Sequence, residues 1–557
     1  MDLGDILSYK PDTSSKRPRQ EEEEEEKDEV AAPPLKKSNG SIAEGELTDE
    51  QKLKLLQNLS DDEDENPEVL DAGAVKRMLL SFEKQVLKNQ EMRIKFPDQP
   101  DKFMESELEL NDEIQSLHII STVPQYYSLL IGARTINTLC SLLTHDNSDI
   151  CIAVIDLLQE LTDTSSIDET EYTEALVEEL LNEKLLALLV QILERLDEKV
   201  SEDKEGVHNT LAIIENISEI LNKPVTTAAG EQGLLTWLLK RVRIRQYDEN
   251  KLYASEILAI LLQDHTPNQS LLGNSDGIDI LLQSLAYYKR RDPHSSDEIE
   301  LMENLFDCLC SSLMYPPNRD KFLKGEGLQL MRLMLQSKKL SRRSSLKVLN
   351  HAMCGGGAEC RDNCEKFIEI FGLGSLFPAF MKTPRGVKKG TGTEEQEEHV
   401  TSIIASLFRH VSGGGRDRLV SKFVENDHEK VDRLLELHLK YKNKIREVDE
   451  SIRNERRYRV TTGGDEENEE EMTFLRRLEA GLFKLQLIDY IITELCLSGI
   501  PSIRGRVITI LGQRGGALVD VVNVMREYVD GLGEENEDEK AEKKRLAELL
   551  KNFETSI

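Results

Sequence analysis

A short motif recurs along the middle of the chain: glycine, an apolar residue, two variable residues and a second apolar residue. Its copies begin at Gly132, Gly233, Gly277, Gly327 and Gly372, and one further copy, at Lys184, lacks the glycine. Successive copies are 52, 49, 44, 50 and 45 residues apart, close to and a little above the period of armadillo and HEAT repeats. The spacing predicts stacked helical modules, with the glycine supplying a tight turn or a left-handed residue before each innermost helix.

These modules are too apolar to be stable alone. In the copy "GEGLQLMRLML" at 325–335, only Gln329 and Arg332 are polar after the glycines, so the helix must be covered on nearly every side. A second apolar helix follows each copy, for example "LMENLFDCLCSSLM". We expect neighbouring modules to bury one another by stacking. Two isolated helical bundles are the alternative.

The apolar residues are mostly leucine and isoleucine, and aromatic residues make up 5% of the chain, so strands are expected to be scarce. We predict an all-α, armadillo/HEAT-type right-handed superhelical solenoid with helical N- and C-terminal caps. The predicted parts are an N-terminal cap at 71–125, about six repeats at 126–412 and a C-terminal cap at 413–557. That cap contains a predicted acidic loop at 463–471, and Gly481 is expected inside one continuous helix.

Residues 1–70 are predicted to be a disordered acidic tail, because they contain six consecutive glutamates at 21–26 and few core-forming residues. Two basic clusters interrupt the acid: Lys16, Arg17, Pro18 and Arg19, then Lys36 and Lys37. The first cluster suits a nuclear import signal and the second is a weaker candidate; a solvated tail with chance charges is the alternative. Ser60 precedes "DDEDE", the context that an acid-directed kinase prefers.

The net charge of −33 repels phosphate backbones and anionic lipids. It therefore disfavours direct nucleic-acid or membrane binding and favours basic partners. The eight cysteines lie mostly in apolar helical patterns, where they are typical of small buried residues in a reducing compartment. No apolar run reaches the length of a membrane span, so we expect a soluble intracellular protein.

No catalytic motif stands out: the chain lacks a phosphate-binding Gly-Lys-Ser/Thr loop, a paired-histidine zinc helix and a nucleophile elbow. We therefore expect neither an enzyme nor a cofactor. His351, Cys354, Cys360 and Cys364 offer four zinc-ligand types within fourteen residues, but without a Cys-x-x-Cys knuckle a linker with free thiols is favoured. Ser344 and Ser345 follow two arginines and resemble a basic-directed phosphorylation site that helix packing would hide.

Stacked helices form a long surface, and an acidic one would accept an extended basic peptide. Armadillo import receptors use a ladder of tryptophans and asparagines for this purpose, and here only Trp237 is available. Carboxylates must therefore provide the binding. Asn216, Asn304 and Asn350 are candidates for hydrogen bonds to a partner's backbone, and structural asparagines are the alternative.

Long strings such as "KNQEMRIKFPDQPDKFMESELELNDEIQ", "KLYASEILAILLQD" and "LRRLEAGLFKLQLIDYI" resemble the beta-catenin-like family of nuclear armadillo-repeat proteins. The resemblance runs from about 75 to 530 and includes the opening "MDLGDILSYKP" with its following "KRPR". It implies a nuclear, non-enzymatic protein of the spliceosome that recognises basic nuclear-localisation segments. It also implies association with the nineteen complex through cell division cycle five-like protein and, in vertebrate members, with activation-induced cytidine deaminase.

Three functions follow from these observations. The first is a nuclear scaffold whose acidic groove binds basic segments of splicing proteins, imported through its own N-terminal tail by an import receptor. The second is an import-receptor-like cargo adaptor, and the third is a helical-repeat regulatory subunit of an enzyme complex. A homo-oligomer is compatible with each of them.

Overall fold

In the computed structural model, residues 70–164, 170–337, 339–381, 392–459, 466–534 and 537–557 are described. Within these ranges the chain forms α-helices and four short 3₁₀ helices, and no β-strand. The 3₁₀ helices are Pro100–Lys102, Leu117–Thr122, Pro124–Tyr126 and Ala286–Lys289. The predicted nuclear import cluster, the second basic cluster and Ser60 lie outside the described residues. The fold is an all-α armadillo solenoid, as the repeat spacing predicts.

The chain divides into two compact units, one ending at Glu183 and the other beginning at Lys184. The division falls inside the predicted repeat region, at the copy of the motif that lacks the glycine. The helices of the first unit are α1 Ala72–Lys95, α2 Met104–Ser116, α3 Tyr127–Gly132, α4 Thr135–Leu142, α5 Ser148–Thr162 and α6 Thr170–Asn182. The predicted boundaries of the two caps stay predictions.

The second unit repeats a three-helix module. The helices of this unit up to residue 410 are α7 Leu185–Arg195, α8 Ser201–Ile220, α9 Asn222–Glu231, α10 Leu234–Val242, α11 Glu249–Leu262, α12 Thr266–Asn274, α13 Gly277–Leu285, α14 Ser296–Ser312, α15 Pro316–Lys324, α16 Gly327–Gln336, α17 Ser341–Met353, α18 Ala358–Glu369, α19 Leu373–Met381 and α20 Gly392–His410. The remaining helices are α21 Gly413–Arg459, α22 Glu466–Glu479, α23 Leu482–Cys496, α24 Pro501–Gln513, α25 Leu518–Asp530 and α26 Glu537–Ser556. Helix α21 is interrupted by non-helical residues from Glu425 to His428.

The longer helices of successive modules pack against one another, in the order α8, α11, α14, α17, α20 and α23. We call this row the long-helix ladder. The short glycine-led helices pack beside it and are strongly buried: in α16, Leu328, Met331, Met334 and Leu335 are buried, while Leu333 stays 48% exposed. Helix α16 is therefore covered on most sides, and its edge at Leu333 is exposed to solvent.

One of the two roles predicted for the turn glycines, that of a left-handed residue, holds at a single position. Of the five predicted turn glycines, only Gly233 has positive φ, of 89°. At the other motif copies the left-handed residue precedes the short helix and is not glycine: Arg134, Lys184, Asp276, Glu326 and Phe371, with φ between 55° and 63°. The left-handed prediction is thus wrong at Gly132, Gly277, Gly327 and Gly372.

Most of those glycines are needed for close packing instead. A Cβ atom on Gly327 would lie 2.3 Å from Phe322, and one on Gly277 would lie 2.5 Å from Leu272. At Gly132, by contrast, no atom lies within 4 Å of the added Cβ. The sequence motif therefore marks where the second helix of a module approaches the first, rather than a backbone that only glycine can adopt.

Three buried asparagines connect neighbouring modules. The Asn318 amide donates to the carbonyl oxygens of Gln269, at 2.7 Å, and Ser312, at 2.9 Å. Asn268 makes the equivalent bonds one module earlier, and Asn363 bonds Ala352 O at 3.2 Å one module later. The Ser312 and Leu261 carbonyls lie in the last turns of α14 and α11, where the ends of helices leave carbonyl groups without intrahelical partners. The second bond of Asn318 and of Asn268 reaches a short helix of the preceding module and joins the two modules.

Two predictions for the C-terminal part need correction. The stretch 463–471 was predicted as an acidic loop, but the chain is helical from Glu466 as α22; residues 463–465 lie outside the described ranges. Gly481 was expected inside a continuous helix, but its φ of 104° separates α22 from α23. No single helix in the described ranges is long and apolar enough to cross a membrane, although α24 and α25 pass that test together as a pair bent by 100°.

Candidate functional site

The first three helices of the long-helix ladder bring carboxylates together on one surface. Glu215 and Glu219 are on α8, Glu256 is on α11 and Glu300 is on α14. Each belongs to a helix that also carries several buried leucine or isoleucine residues. We call these four residues the acidic cluster. The sequence predicts an acidic groove without identifying its residues, and these four carboxylates are the candidates for it.

Tyr253 lies close to three carboxylates of the cluster, those of Glu215, Glu219 and Glu256. Its hydroxyl group donates a hydrogen bond to Glu215, and its ring packs 5.1 Å from the ring of His208, centroid to centroid. Burial, followed by the hydrogen bond and charge of Glu215, raises the pKa of Tyr253. The tyrosine therefore stays protonated and fixes the position of one carboxylate.

Glu256 carries the strongest electrostatic signal of the site. Partial burial, followed by the charges of Glu215 and Glu300, raises its pKa to about 7. All three causes disfavour the ionised form of the carboxyl group. A cation placed among these side chains would relieve the repulsion, so the cluster is suited to a lysine or arginine side chain of a partner.

The next helix of the long-helix ladder, α17, differs because it carries cationic side chains. There Lys347 contacts Asp307 of α14 at 2.7 Å, and Arg343 forms an ion pair with Glu395 of α20. The Ser344 hydroxyl group lies 2.7 Å and 2.9 Å from the two carboxylate oxygens of Glu303. Because α17 provides cations, Asp307 and Glu395 are paired there, whereas no ion pair compensates the four carboxylates of the acidic cluster among the described residues.

The asparagines that the sequence suggested as partner-binding residues are engaged within the chain. The Asn304 amide donates to the Ser255 hydroxyl group at 3.3 Å. The Asn350 side-chain oxygen lies 2.9 Å from the Cys354 sulfur. Asn216 is half-buried next to Glu215 and also has an interaction within the chain. A structural role therefore accounts for the contacts of Asn304 and Asn350.

The suggested zinc ligands point to separate partners. Cys360 accepts a hydrogen bond from Arg319 at 3.0 Å, Cys364 faces the carbonyl of Met353, and burial lowers the pKa of His351 to about 3. No group of three or more potential ligands converges in the described part of the chain. All eight cysteines are free thiols.

Other suggested residues are buried. Trp237 is 7% exposed and its indole N–H donates to Leu193 O at 3.3 Å, so it packs between modules and does not face a ligand. Ser344 and Ser345 are also buried, which agrees with the expectation that packing hides them from a kinase.

Comparison with known proteins gives consistent results. The profile of a family described as catenin-beta-like, Arm-motif containing and nuclear matches residues 51–526. Beta-catenin-like protein 1 of Rattus norvegicus is 51% identical over 567 residues, covering 99% of this chain and all of the relative. The Homo sapiens protein of that name is 53% identical over 87% of this chain and 86% of its own length. The Schizosaccharomyces pombe homolog is 32% identical over 84% of this chain and 81% of its own length.

Proposed function

This chain belongs to the catenin-beta-like family of nuclear Arm-motif proteins, and we propose that it acts as a non-enzymatic nuclear scaffold that binds basic protein segments through its acidic cluster. The observation that carries the proposal is the placement of Glu256 between Glu215 and Glu300, where the neighbouring charges disfavour its own ionisation. Such an arrangement lowers the stability of the free protein and is relieved by a cationic ligand.

The proposed mechanism is electrostatic. An extended segment rich in lysine and arginine lies across α8, α11 and α14, and one cationic side chain enters among Glu215, Glu256 and Glu300. Binding returns the pKa of Glu256 towards its ordinary value, so it is accompanied by proton release near neutral pH. Since each exposed ion pair contributes at most about 1 kcal/mol, several cations of the segment are needed for specific binding.

The proposed partners are splicing proteins of the nineteen complex, among them cell division cycle five-like protein, whose nuclear-localisation segments have this chemistry. Activation-induced cytidine deaminase is a further proposed partner if the chain is a vertebrate member. The basic cluster Lys16, Arg17, Pro18 and Arg19 is proposed to bind an import receptor. An import-receptor-like cargo adaptor and a regulatory subunit of an enzyme complex are the alternative functions.

A peptide-binding measurement tests the site. A fluorescent peptide containing four consecutive lysine or arginine residues is titrated with the protein and with a variant that carries Glu215→Gln, Glu256→Gln and Glu300→Gln. We expect about tenfold weaker binding to the variant, and weaker binding to the wild type as salt rises. The matched control carries Glu178→Gln, Glu365→Gln and Glu548→Gln, three exposed glutamates outside the cluster, and should bind within about twofold of the wild type.

Equal loss in both variants, or binding that is indifferent to salt, would contradict the proposed electrostatic site. Affinity capture from nuclear extract then separates the three functions. Recovery of splicing proteins supports the scaffold, recovery of nuclear carriers and pore proteins supports the cargo adaptor, and recovery of a catalytic subunit supports the regulatory role. Capture is repeated with the triple variant, so that partners held by the acidic cluster are distinguished from the rest.

A further inference from the structure

Two neighbouring loops of the second unit expose cations in an otherwise acidic protein. The loop that follows α10 contains Arg243 and Arg245, and the 3₁₀ segment and loop that follow α13 contain Lys289, Arg290 and Arg291. All five side chains are exposed, and neither 243–247 nor 287–291 contains an acidic residue. We call these five residues the basic ridge.

The two loops lie side by side. Helices α10 and α13, which lead into them, pack against each other in successive modules. Tyr247 of the first loop lies close enough to Tyr288 of the second to act on its ionisation: burial, Glu298 and then nearby tyrosines, Tyr247 among them, raise the pKa of Tyr288. The five cations therefore share one continuous surface.

The cations of the basic ridge are available, whereas others nearby are not. Arg241 contacts Glu198 at 2.8 Å and also pairs with Asp248, and Lys339 contacts Asp292 at 2.8 Å. Those pairs compensate Asp248 and Asp292, the acidic residues that follow the two loops in sequence, whereas Asp297 and Glu298 at the start of α14 also act on Tyr247 of the first loop. Within the described part of the chain, none of the five ridge side chains forms an ion pair or another interaction that would compensate its charge.

Apolar groups are interspersed with the charges. Tyr287 and Ile244 are each 48% exposed, and the Arg291 guanidinium group lies 5.5 Å from the centre of the Tyr287 ring. An arginine stacked on an aromatic ring is held in place and loses less conformational freedom on binding a carboxylate. The surface thus combines preorganised cations with two apolar contact points.

We propose that the basic ridge binds a short acidic peptide segment of a partner protein, separately from the basic segment at the acidic cluster. Carboxylates of the segment pair with Arg243, Arg245, Lys289, Arg290 and Arg291, and an apolar residue of the segment contacts Tyr287 or Ile244. The two sites select opposite charges, so one scaffold molecule holds two different kinds of segment at once.

The small extent of the basic ridge favours a short acidic peptide over a nucleic acid as its ligand. With a net charge of −33, the chain repels the parts of a polyanion that extend beyond the ridge. Charges are screened over about 8 Å at physiological salt, so a short acidic segment confined to the ridge avoids most of this repulsion. An RNA strand that extends beyond the ridge does not avoid this repulsion, because it carries a phosphate at every nucleotide.

The test uses fluorescence anisotropy at physiological salt with a labelled peptide of six glutamates followed by leucine. The ridge variant carries Arg243→Gln, Arg245→Gln, Lys289→Gln, Arg290→Gln and Arg291→Gln. The control variant removes five exposed cations elsewhere, as Lys84→Gln, Lys324→Gln, Arg361→Gln, Arg418→Gln and Arg514→Gln. We expect the ridge variant to bind at least about tenfold more weakly than the wild type and the control within about twofold of it.

Absence of binding to the wild-type protein, or equal loss in both variants, would overturn the proposal. Ridge-dependent binding of a twelve-nucleotide single-stranded oligouridine that is tighter than binding of the peptide would also overturn it, in favour of an RNA site. The ridge variant should keep its melting midpoint, because the substituted side chains are exposed and unpaired, and its affinity for the basic peptide. These controls separate failure of the ridge from failure of the acidic cluster.

Discussion

The replacement Glu256→Gln should stabilise the folded protein and weaken its binding of basic peptides at the same time. Glutamine keeps the size of the side chain but removes the charge that Glu215 and Glu300 repel. The pKa of Glu256 rises from an ordinary 4.5 to about 7. One pKa unit corresponds to about 1.4 kcal/mol, so the full shift would cost ~3 kcal/mol, and solvent screening of this half-buried side chain reduces the cost to about 1 kcal/mol.

The pH dependence has a definite sign. Between the two pKa values, at pH 4.5 to 7, the folded protein retains a proton on Glu256 that the unfolded chain has released. Raising the pH through this window therefore destabilises the folded wild type relative to the glutamine variant. Below this window both states are protonated and the stability difference disappears. The gain should be largest at pH 8.

Hydrogen–deuterium exchange of peptides that cover α11 measures the effect locally, which suits a repeat protein whose modules open separately. At pH 8, a gain of about 1 kcal/mol slows exchange roughly fivefold, and at about pH 3.5, below both pKa values, the two proteins should exchange alike. The affinity for the lysine- and arginine-rich peptide should fall about threefold in the same variant. Glu178→Gln, on α6, is the control. A gain in protection that is independent of pH, or a gain without loss of peptide affinity, would refute the reasoning.

Three further predictions concern the fold and the tail. Gly327→Ala should cost ~2 kcal/mol of unfolding free energy in urea denaturation, because its Cβ would lie 2.3 Å from Phe322. Gly132→Ala should be tolerated, because no atom lies within 4 Å of the added Cβ. Equal effects of the two replacements would contradict the packing role of Gly327. His438 and Asp489 are fully buried, with Nδ1 of the histidine and Oδ1 of the aspartate 2.5 Å apart. Asp489→Ala should therefore cost about 3 kcal/mol of unfolding free energy. The double variant Asp489→Ala with His438→Leu should lose less stability than the sum of the two single variants, and additive losses would exclude coupling between the two residues. Removing residues 1–40 should move a fluorescent fusion protein to the cytoplasm without changing its melting midpoint, and nuclear retention would exclude the tail as the import signal.

The period of the motif was sufficient to predict the fold. Apolar helices that recur every 44 to 52 residues cannot be buried except against their neighbours, and the stacked long-helix ladder is the result. The backbone of the turns could not be predicted in the same way. The left-handed residue is glycine at Gly233 but is Arg134, Lys184, Asp276, Glu326 or Phe371 at the other copies of the motif, so the usual preference for glycine at a left-handed position does not identify it.

The acidic cluster left a weaker signal in the sequence. Glu215 in "AIIENISEI" and Glu256 in "YASEILAI" are carboxylates inside apolar helices of successive modules, which is a pattern that marks a shared surface. The pattern does not distinguish Glu256 from Asp307. The two acids differ in that Lys347 of the next long helix, α17, contacts Asp307. Compensation of charge depends on contacts between residues about 40 positions apart, and these contacts required the structure.

The inter-module asparagines were missed for a related reason. Asn268, Asn318 and Asn363 recur at 50 and 45 residues, in step with the glycine motif, yet asparagine is most often an exposed or turn-forming residue. Only the buried carbonyl groups that their amides contact reveal their role. Recurrence in step with the repeat was the available signal.

We expect a cationic side chain of a partner to enter among Glu215, Glu256 and Glu300. A co-crystal structure of the protein with a lysine- and arginine-rich peptide tests it most directly. The complex should show an ammonium or guanidinium nitrogen within hydrogen-bond distance of the Glu256 carboxylate, with the peptide crossing α8, α11 and α14. A peptide bound beside α17 and α20, with the acidic cluster open to solvent, would contradict it.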